Sequence, residues 1–147
     1  MNAQVTYKTQ FECSYVLVDN NTSKTTYSLN SHRYQLEVTV TTMVDSATNT
    51  PVRVIDFETL KRLVDDIVPN NYWLYDNKFE QDSKSSMLLL CLENLNIKTQ
   101  KYQFELSCET LAKHFYNLLQ ESCSKYKVEV SSITLRENNN MCSTISK

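Results

Sequence analysis

Two long stretches of strict alternation, separated by a polar turn, limit what this chain can become. In the first, Val5, Tyr7, Phe11, Cys13, Tyr15 and Leu17 share one face, and Thr6, Lys8, Gln10, Glu12 and Ser14 share the other. In the second, His32, Tyr34, Leu36, Val38 and Val40 point one way, and Arg33, Gln35, Glu37 and Thr39 the other. A period of two with one apolar face is the pattern of a half-buried strand. The turn chemistry of Asp19 to Lys24 then folds the two strands into an antiparallel hairpin.

The chain contains no glycine. Glycine-rich phosphate loops and dinucleotide fingerprints are therefore excluded. Backbone positions that need φ > 0 fall to asparagine or aspartate, and the clusters Asn20-Asn21, Asn70-Asn71 and Asn138 to Asn140 are where to expect them.

Beyond the hairpin the spacing changes. Asp45 to Pro51 reads as a loop. Phe57, Leu60, Leu63, Val64 and Ile67 are spaced for one helical face, with Asp56 as N-cap and Pro69 as the stop. Asn70 to Phe79 reads as irregular and aromatic, and Glu80 to Ser86 as a polar loop. Met87 to Asn94 fits either a short helix or a buried strand. Ile97 to Leu106 is a weaker strand with Lys and Gln outward, as suits a sheet edge. Ser107 to Ser122 is a second helix, capped by Ser107, with Leu111, Ala112, Phe115, Leu118 and Leu119 on its stripe. In the last strand Tyr126, Val128 and Val130 share one parity and Ile133, Leu135 and Glu137 the other, so a β-bulge is expected at Ser131-Ser132. Residues 139–147 are polar and read as a loose tail.

At 147 residues, 41% apolar and 22% charged, the chain fits one soluble domain, residues 1–147. A net charge of −2 gives no electrostatic reason to expect nucleic acid as a partner. No apolar run is long enough for a membrane span, and the N-terminus has no signal core. The five cysteines form no CxxC and read as reduced thiols. A cytoplasmic protein is the default expectation.

Five stretches, in order, resemble the 6-pyruvoyl- and 6-carboxytetrahydropterin synthases. They are His32-Arg33-Tyr34, Val54 to Lys61, Asn70-Asn71-Tyr72-Trp73-Leu74, Ser107 to Ala112 and Leu135-Arg136-Glu137, where the family reads HGHxY, MVxDFxxLK, LDHxxLN, PTxENLA and ET. The resemblance spans nearly the whole chain. It implies an α+β tunnelling fold, a four-stranded antiparallel sheet with two helices on one face. It also implies assembly of copies edge to edge into a homo-oligomeric barrel, with active sites between subunits.

The resemblance also implies chemistry that these residues do not fully supply. The family's lyase reaction uses zinc on three histidines, whereas this chain has two histidines in all. The first-strand zinc position is Tyr15, and HGH reads Asn30-Ser31-His32, so only His32 survives as a metal-ligand candidate. Cys13 with His32 and water could bind zinc weakly, but two protein ligands are too few for a tight site, and no other cofactor is expected. The family's catalytic cysteine falls at about Thr26, or Lys24 on longer spacing. Its Asp-His pair reads Asn70-Asn71, and asparagine does not exchange protons near neutrality. What remains is the ring anchor. Glu137 stands where the family's Glu accepts two hydrogen bonds from the amino-imino edge of the pterin, although Asn138 follows it in place of Thr. Glu109 is retained as well, and equally suits a first-turn acid complementing the helix dipole. Trp73 with Tyr72 and Tyr75 is either packing or the floor of a pocket.

Three functional readings follow. The first is a degenerate family member that recognises a pterin or purine-like ring through Glu137 without lyase activity. The second is an active enzyme with reworked chemistry on Cys13, Tyr15 or His32, which requires these side chains to converge near Glu137 of a neighbouring subunit. The third is an interaction module with no small-molecule site.

Overall fold

The computed structural model describes residues 3–19, 25–42, 47–48, 55–138 and 141–147. The hairpin is present. β1 (Ala3–Asp19) and β2 (Thr26–Thr42) pair antiparallel from Ala3↔Thr42 to Asp19↔Thr26 without a break in register. The alternation predicts the buried face through Tyr15, and it fails at the end of the strand. Leu17 is 37% exposed and Val18 is 6% exposed. There α2 (Asn77–Glu80) comes against β1, and Val18 lies outside the main core cluster.

The sheet has six strands, not four, in the order β4-β3-β1-β2-β5-β6. Two segments, β3 and β6, account for the difference. Tyr72–Asp76, expected to be irregular, is β3, parallel to β1 through Cys13↔Tyr72, Ser14↔Trp73 and Tyr15↔Leu74. Its aromatic residues on both faces hid the period-two pattern. The expected edge strand is β4 (Thr99–Tyr102), parallel to β3. A parallel pair needs a crossover of about a dozen residues or more, which α2 and α3 (Ser85–Asn94) occupy, so Met87–Asn94 is helical. The tail expected to be loose instead forms β6 (Met141–Ser146), antiparallel to β5 (Glu129–Asn138). Its mostly polar side chains are those of an exposed edge strand.

Both principal helices lie on the same face of the sheet. α1 (Phe57–Ile67) starts at Asp56, which accepts the Thr59 N–H at 2.8 Å, and ends before Pro69. Phe57, expected on the apolar face, is 53% exposed but sets its ring edge-on to Tyr7 at 5.7 Å. α4 (Cys108–Ser124) starts at Ser107, which forms a capping box with Thr110. Leu60 and Val64 of α1 and Leu111, Ala112, Phe115 and Leu119 of α4 cover Phe11, Tyr34, Leu36, Val38, Ile133 and Leu135 of the sheet. Phe11 stacks on Tyr34 at 5.2 Å and meets Phe115 edge-on at 5.9 Å. The bulge falls where the phase slip predicts it. Val40 pairs with Val130 and Thr39 with Ser132, leaving Ser131 as the extra residue. Among the described residues, no helix is long and apolar enough to cross a membrane.

Of the asparagine clusters, Asn71 takes a left-handed conformation at φ 65°, and Asn96 and Lys127 do so where no cluster marked them. Asn20, Asn21, Asn139 and Asn140 lie outside the described residues, as does most of the loop expected at Asp45 to Pro51. Asn70 and Asn71 together clasp β1. Asn70 Oδ1 accepts the Glu12 N–H at 3.0 Å, and the Asn71 N–H donates to the Glu12 carbonyl at 2.6 Å. A left-handed turn is costly for residues other than glycine and asparagine, by about 1–2 kcal/mol. Asn71→Gly is therefore expected to unfold in urea at nearly the wild-type midpoint, and Asn71→Val to lose about 1–2 kcal/mol. Equal losses in the two variants would show that the conformation at this position is not what limits it.

Candidate functional site

The candidate site lies on the helix-covered face of the sheet, where β1, β2 and β5 run side by side. The bulge at Ser131 turns Ile133, Leu135 and Glu137 to this face. The β2–β5 ladder, which pairs Leu36 with Leu135 and Gln35 with Arg136, runs on to bring Glu137 alongside Tyr34. His32 lies two residues further along the same face of β2, opposite Cys13 on β1.

Three of the side chains singled out from the sequence meet here with the fourth. His32 Nε2 is 2.9 Å from Glu137 Oε1, with side-chain exposures of 27% and 12%. The Tyr15 hydroxyl donates to the same oxygen, Oε1, at 3.4 Å. Cys13 is buried beside them, and burial followed by the Glu137 charge pushes its thiol up to about 12. Burial, then Glu137, also raises the Tyr15 hydroxyl above its ordinary value. Convergence therefore occurs, but within one chain, where the sequence reading had placed it at a neighbour's Glu137.

Tyr34 belongs to this group and was missed as a site residue. Its ring is fully buried and edge-on to His32 at 5.8 Å. Burial raises its hydroxyl, with Tyr15, Cys13 and Glu137 adding to the effect. The Tyr15 hydroxyl is the hydrogen-bonding neighbour of that hydroxyl. The available signal was parity, because Tyr34 follows His32 by two on the same strand face.

The other candidates stand apart. Glu109 is exposed in the first turn of α4, and among the described residues no hydrogen bond or ion pair links it to Glu137. Thr26 is six residues from His32 along β2, about 20 Å at the usual rise per residue, and its hydroxyl donates to the Asp19 carbonyl. Lys24 lies outside the described residues. Asn30, at one of the family's histidine positions, turns its amide onto Ser28. His114, the second histidine, sits against Tyr102 and Phe104 on α4, and burial lowers its pKa. Trp73 and Tyr72 line an open cleft of about 530 Å³ with Ser14, Ser31 and Arg33, and Cys13 and His32 border it too. Among the described residues, no group of three or more His, Cys, Asp or Glu side chains is gathered to hold a metal ion.

Comparison with known proteins places this geometry in a family. The chain matches the family model described as 6-pyruvoyl tetrahydropterin synthase over residues 4–147. It is 28% identical over 113 residues to the 6-carboxy-5,6,7,8-tetrahydropterin synthase of Haemophilus influenzae, covering 75% of this chain and 76% of that one. An uncharacterized protein from Wolinella succinogenes has the same fold, with a TM-score of 0.73 and 14% identity, over 100% of this chain and 99% of the other. So does 6-pyruvoyl tetrahydropterin synthase from Plasmodium falciparum, with a TM-score of 0.64 and 14% identity, over 99% and 98% of the two chains. Carried by a match over almost its full length, the chain belongs to the 6-pyruvoyl tetrahydropterin synthase family and has its tunnelling fold.

Proposed function

We propose that this protein recognises a pterin or purine-like ring through Glu137 without performing the family's zinc-dependent lyase reaction. The observation that carries the reading is the setting of Glu137. It is a carboxylate only 12% exposed, held by neighbouring side chains at the end of β5. A carboxylate in such a place is poised to accept hydrogen bonds from the amino-imino edge of a ring, and charge-assisted bonds of this kind are the strong ones. Zinc does not fit the donor set. Of the three family positions, Tyr15 is a protonated phenol, Asn30 faces Ser28, and His32 directs Nε2 to Glu137. The proton-transfer pair is replaced by Asn70 and Asn71, whose groups bond to the backbone of Glu12.

The reworked-enzyme reading has convergence in its favour, but it lacks a nucleophile. With its pKa near 12, Cys13 stays a neutral thiol at physiological pH, and the thiolate is the reactive form. At pH 8, alkylation of the folded protein is expected to modify the exposed Cys91 and Cys142 readily and Cys13 only on unfolding. Rapid modification of native Cys13 would revive that reading.

The reading includes a homo-oligomer. β1 is bonded to β2 along its whole length, but on its other side β3 reaches only Cys13, Ser14 and Tyr15. β6 pairs with β5 on one side. One copy's β6 set beside the next copy's β1 would cover both edges and close a ring. Light scattering on the purified protein is expected to give a multiple of the monomer mass. A monomer at micromolar concentration would favour the interaction-module reading. The unpaired thiols suit a cytosolic location.

The direct test is calorimetric titration with a reduced pterin. Wild type is expected to bind, and Glu137→Gln to bind at least about tenfold more weakly, since a hydrogen bond to a charged group contributes about 1.5–3 kcal/mol. Undiminished binding by the variant would remove Glu137 from the site. One tightly held zinc per chain together with lyase turnover would overturn the loss of catalysis.

A further inference from the structure

Both described contacts of the Glu137 carboxylate fall on one oxygen, Oε1, and both come from positions where the family places zinc ligands. Tyr15 stands at the first-strand position and His32 at the end of the Asn30-Ser31-His32 stretch. His32 Nε2 and the Tyr15 hydroxyl approach this one oxygen, at 2.9 and 3.4 Å. They fix the plane of the group and leave Oε2 as the acceptor that neither contact uses.

We propose that Tyr15 and His32 form a hydrogen-bonded clamp on Glu137, so that the place of the metal has become a device for positioning the anchor carboxylate. This inference rests on the ring-recognition reading for its purpose, but not for its geometry. The three side chains come from three adjacent strands, β1, β2 and β5, so their separation is set by the sheet ladder and not by loops. The clamp is braced from within. The His32 ring sits edge-on to Tyr34, which stacks on Phe11 and through it meets Phe115 of α4. His32 therefore has little freedom to leave Glu137, and Glu137, at the end of its strand, gains an orientation it would otherwise lack. Metal ligation by His32 through Nε2 would have to break this contact.

The clamp can be read without any ligand. In nitrogen-15-labelled protein, the side-chain spectrum of His32 is expected to show a proton fixed on Nε2, with His114 as internal reference. Glu137→Ala should abolish that signature. Identical His32 spectra in wild type and Glu137→Ala would overturn the clamp. Equimolar zinc should leave the wild-type His32 signals in place, and a shift at that concentration would return His32 to metal binding and overturn it too. With a reduced pterin as probe, Tyr15→Phe and His32→Gln are each expected to weaken binding about three- to tenfold, the worth of one ordinary hydrogen bond. Wild-type affinity in both, with melting temperatures unchanged, would show that they position nothing. If wild type binds no pterin while the His32 signature is present and depends on Glu137, the ring-recognition reading fails and the clamp stands.

Discussion

The seventeen-residue pairing of β1 with β2 is the constraint on which the rest of the molecule depends. Its register decides which side chains meet the helices. Cys13, Tyr15, His32 and Tyr34 reach one face only because Cys13 lies opposite His32 and Phe11 opposite Tyr34. A slip of one residue would turn one strand's set over, sending either Cys13 and Tyr15 or His32 and Tyr34 to the solvent face and bringing Glu12 and Ser14, or else Arg33, inward. The cost would include parting the Arg33–Glu12 ion pair, now at 2.6 Å on the exposed face, by burying one partner, and losing Phe11 or Tyr34 from the core. The hydrophobic pattern therefore sets the register, and the register assembles the polar group at its end.

The bulge in β5 is the second step of the same argument. Val128 and Val130 point into the core with even parity. Without Ser131 as an extra residue, even parity would continue, Leu135 would lose its burial and Glu137 would face away from His32. Ser131 is itself tied in, since its hydroxyl donates to the Thr39 carbonyl at 3.1 Å. One extra residue thus turns the rest of the strand over and delivers the carboxylate to the site. Bulges commonly re-aim a side chain beside a functional site, and here the re-aimed side chain is Glu137.

The sequence announced the hairpin, both long helices, their caps and the bulge, because each rests on local spacing or a short capping motif. It did not announce β3, where Tyr72 to Tyr75 put aromatic residues on both faces of a strand flanked on each side. Nor did it announce β6, whose polar side chains earn their place through a ladder with β5 that no local pattern displays. Of the site, Cys13, Tyr15, His32 and Glu137 could each be named from sequence, and the hairpin already put the first three on one face. What could not be read was that Glu137 of the same chain would reach them. That depends on the order in which β5 joins the sheet, a long-range pairing. Tyr34 escaped notice because a tyrosine among inward-facing apolar residues looks like packing, and it is packing as well.

The replacements in this chain are not scattered. Asn70 and Asn71 stand at the positions of the family's proton-transfer pair, and they hold both backbone groups of Glu12. Asn71 meets a left-handed turn that a chain without glycine must give to another residue. Asn70 holds Glu12 through its side-chain oxygen and Asn71 through its backbone N–H. Tyr34 runs the other way. Burying its hydroxyl beside Tyr15 carries a desolvation cost that packing alone would avoid with phenylalanine. Its position beneath Tyr15 and His32 gives that cost a reason if the polar group above it is kept in place for recognition. On the proposed reading, stability has taken over the positions of the connecting loop that resemble the family's proton-transfer pair, while the end of the sheet still bears an energetic burden of the kind that binding sites carry.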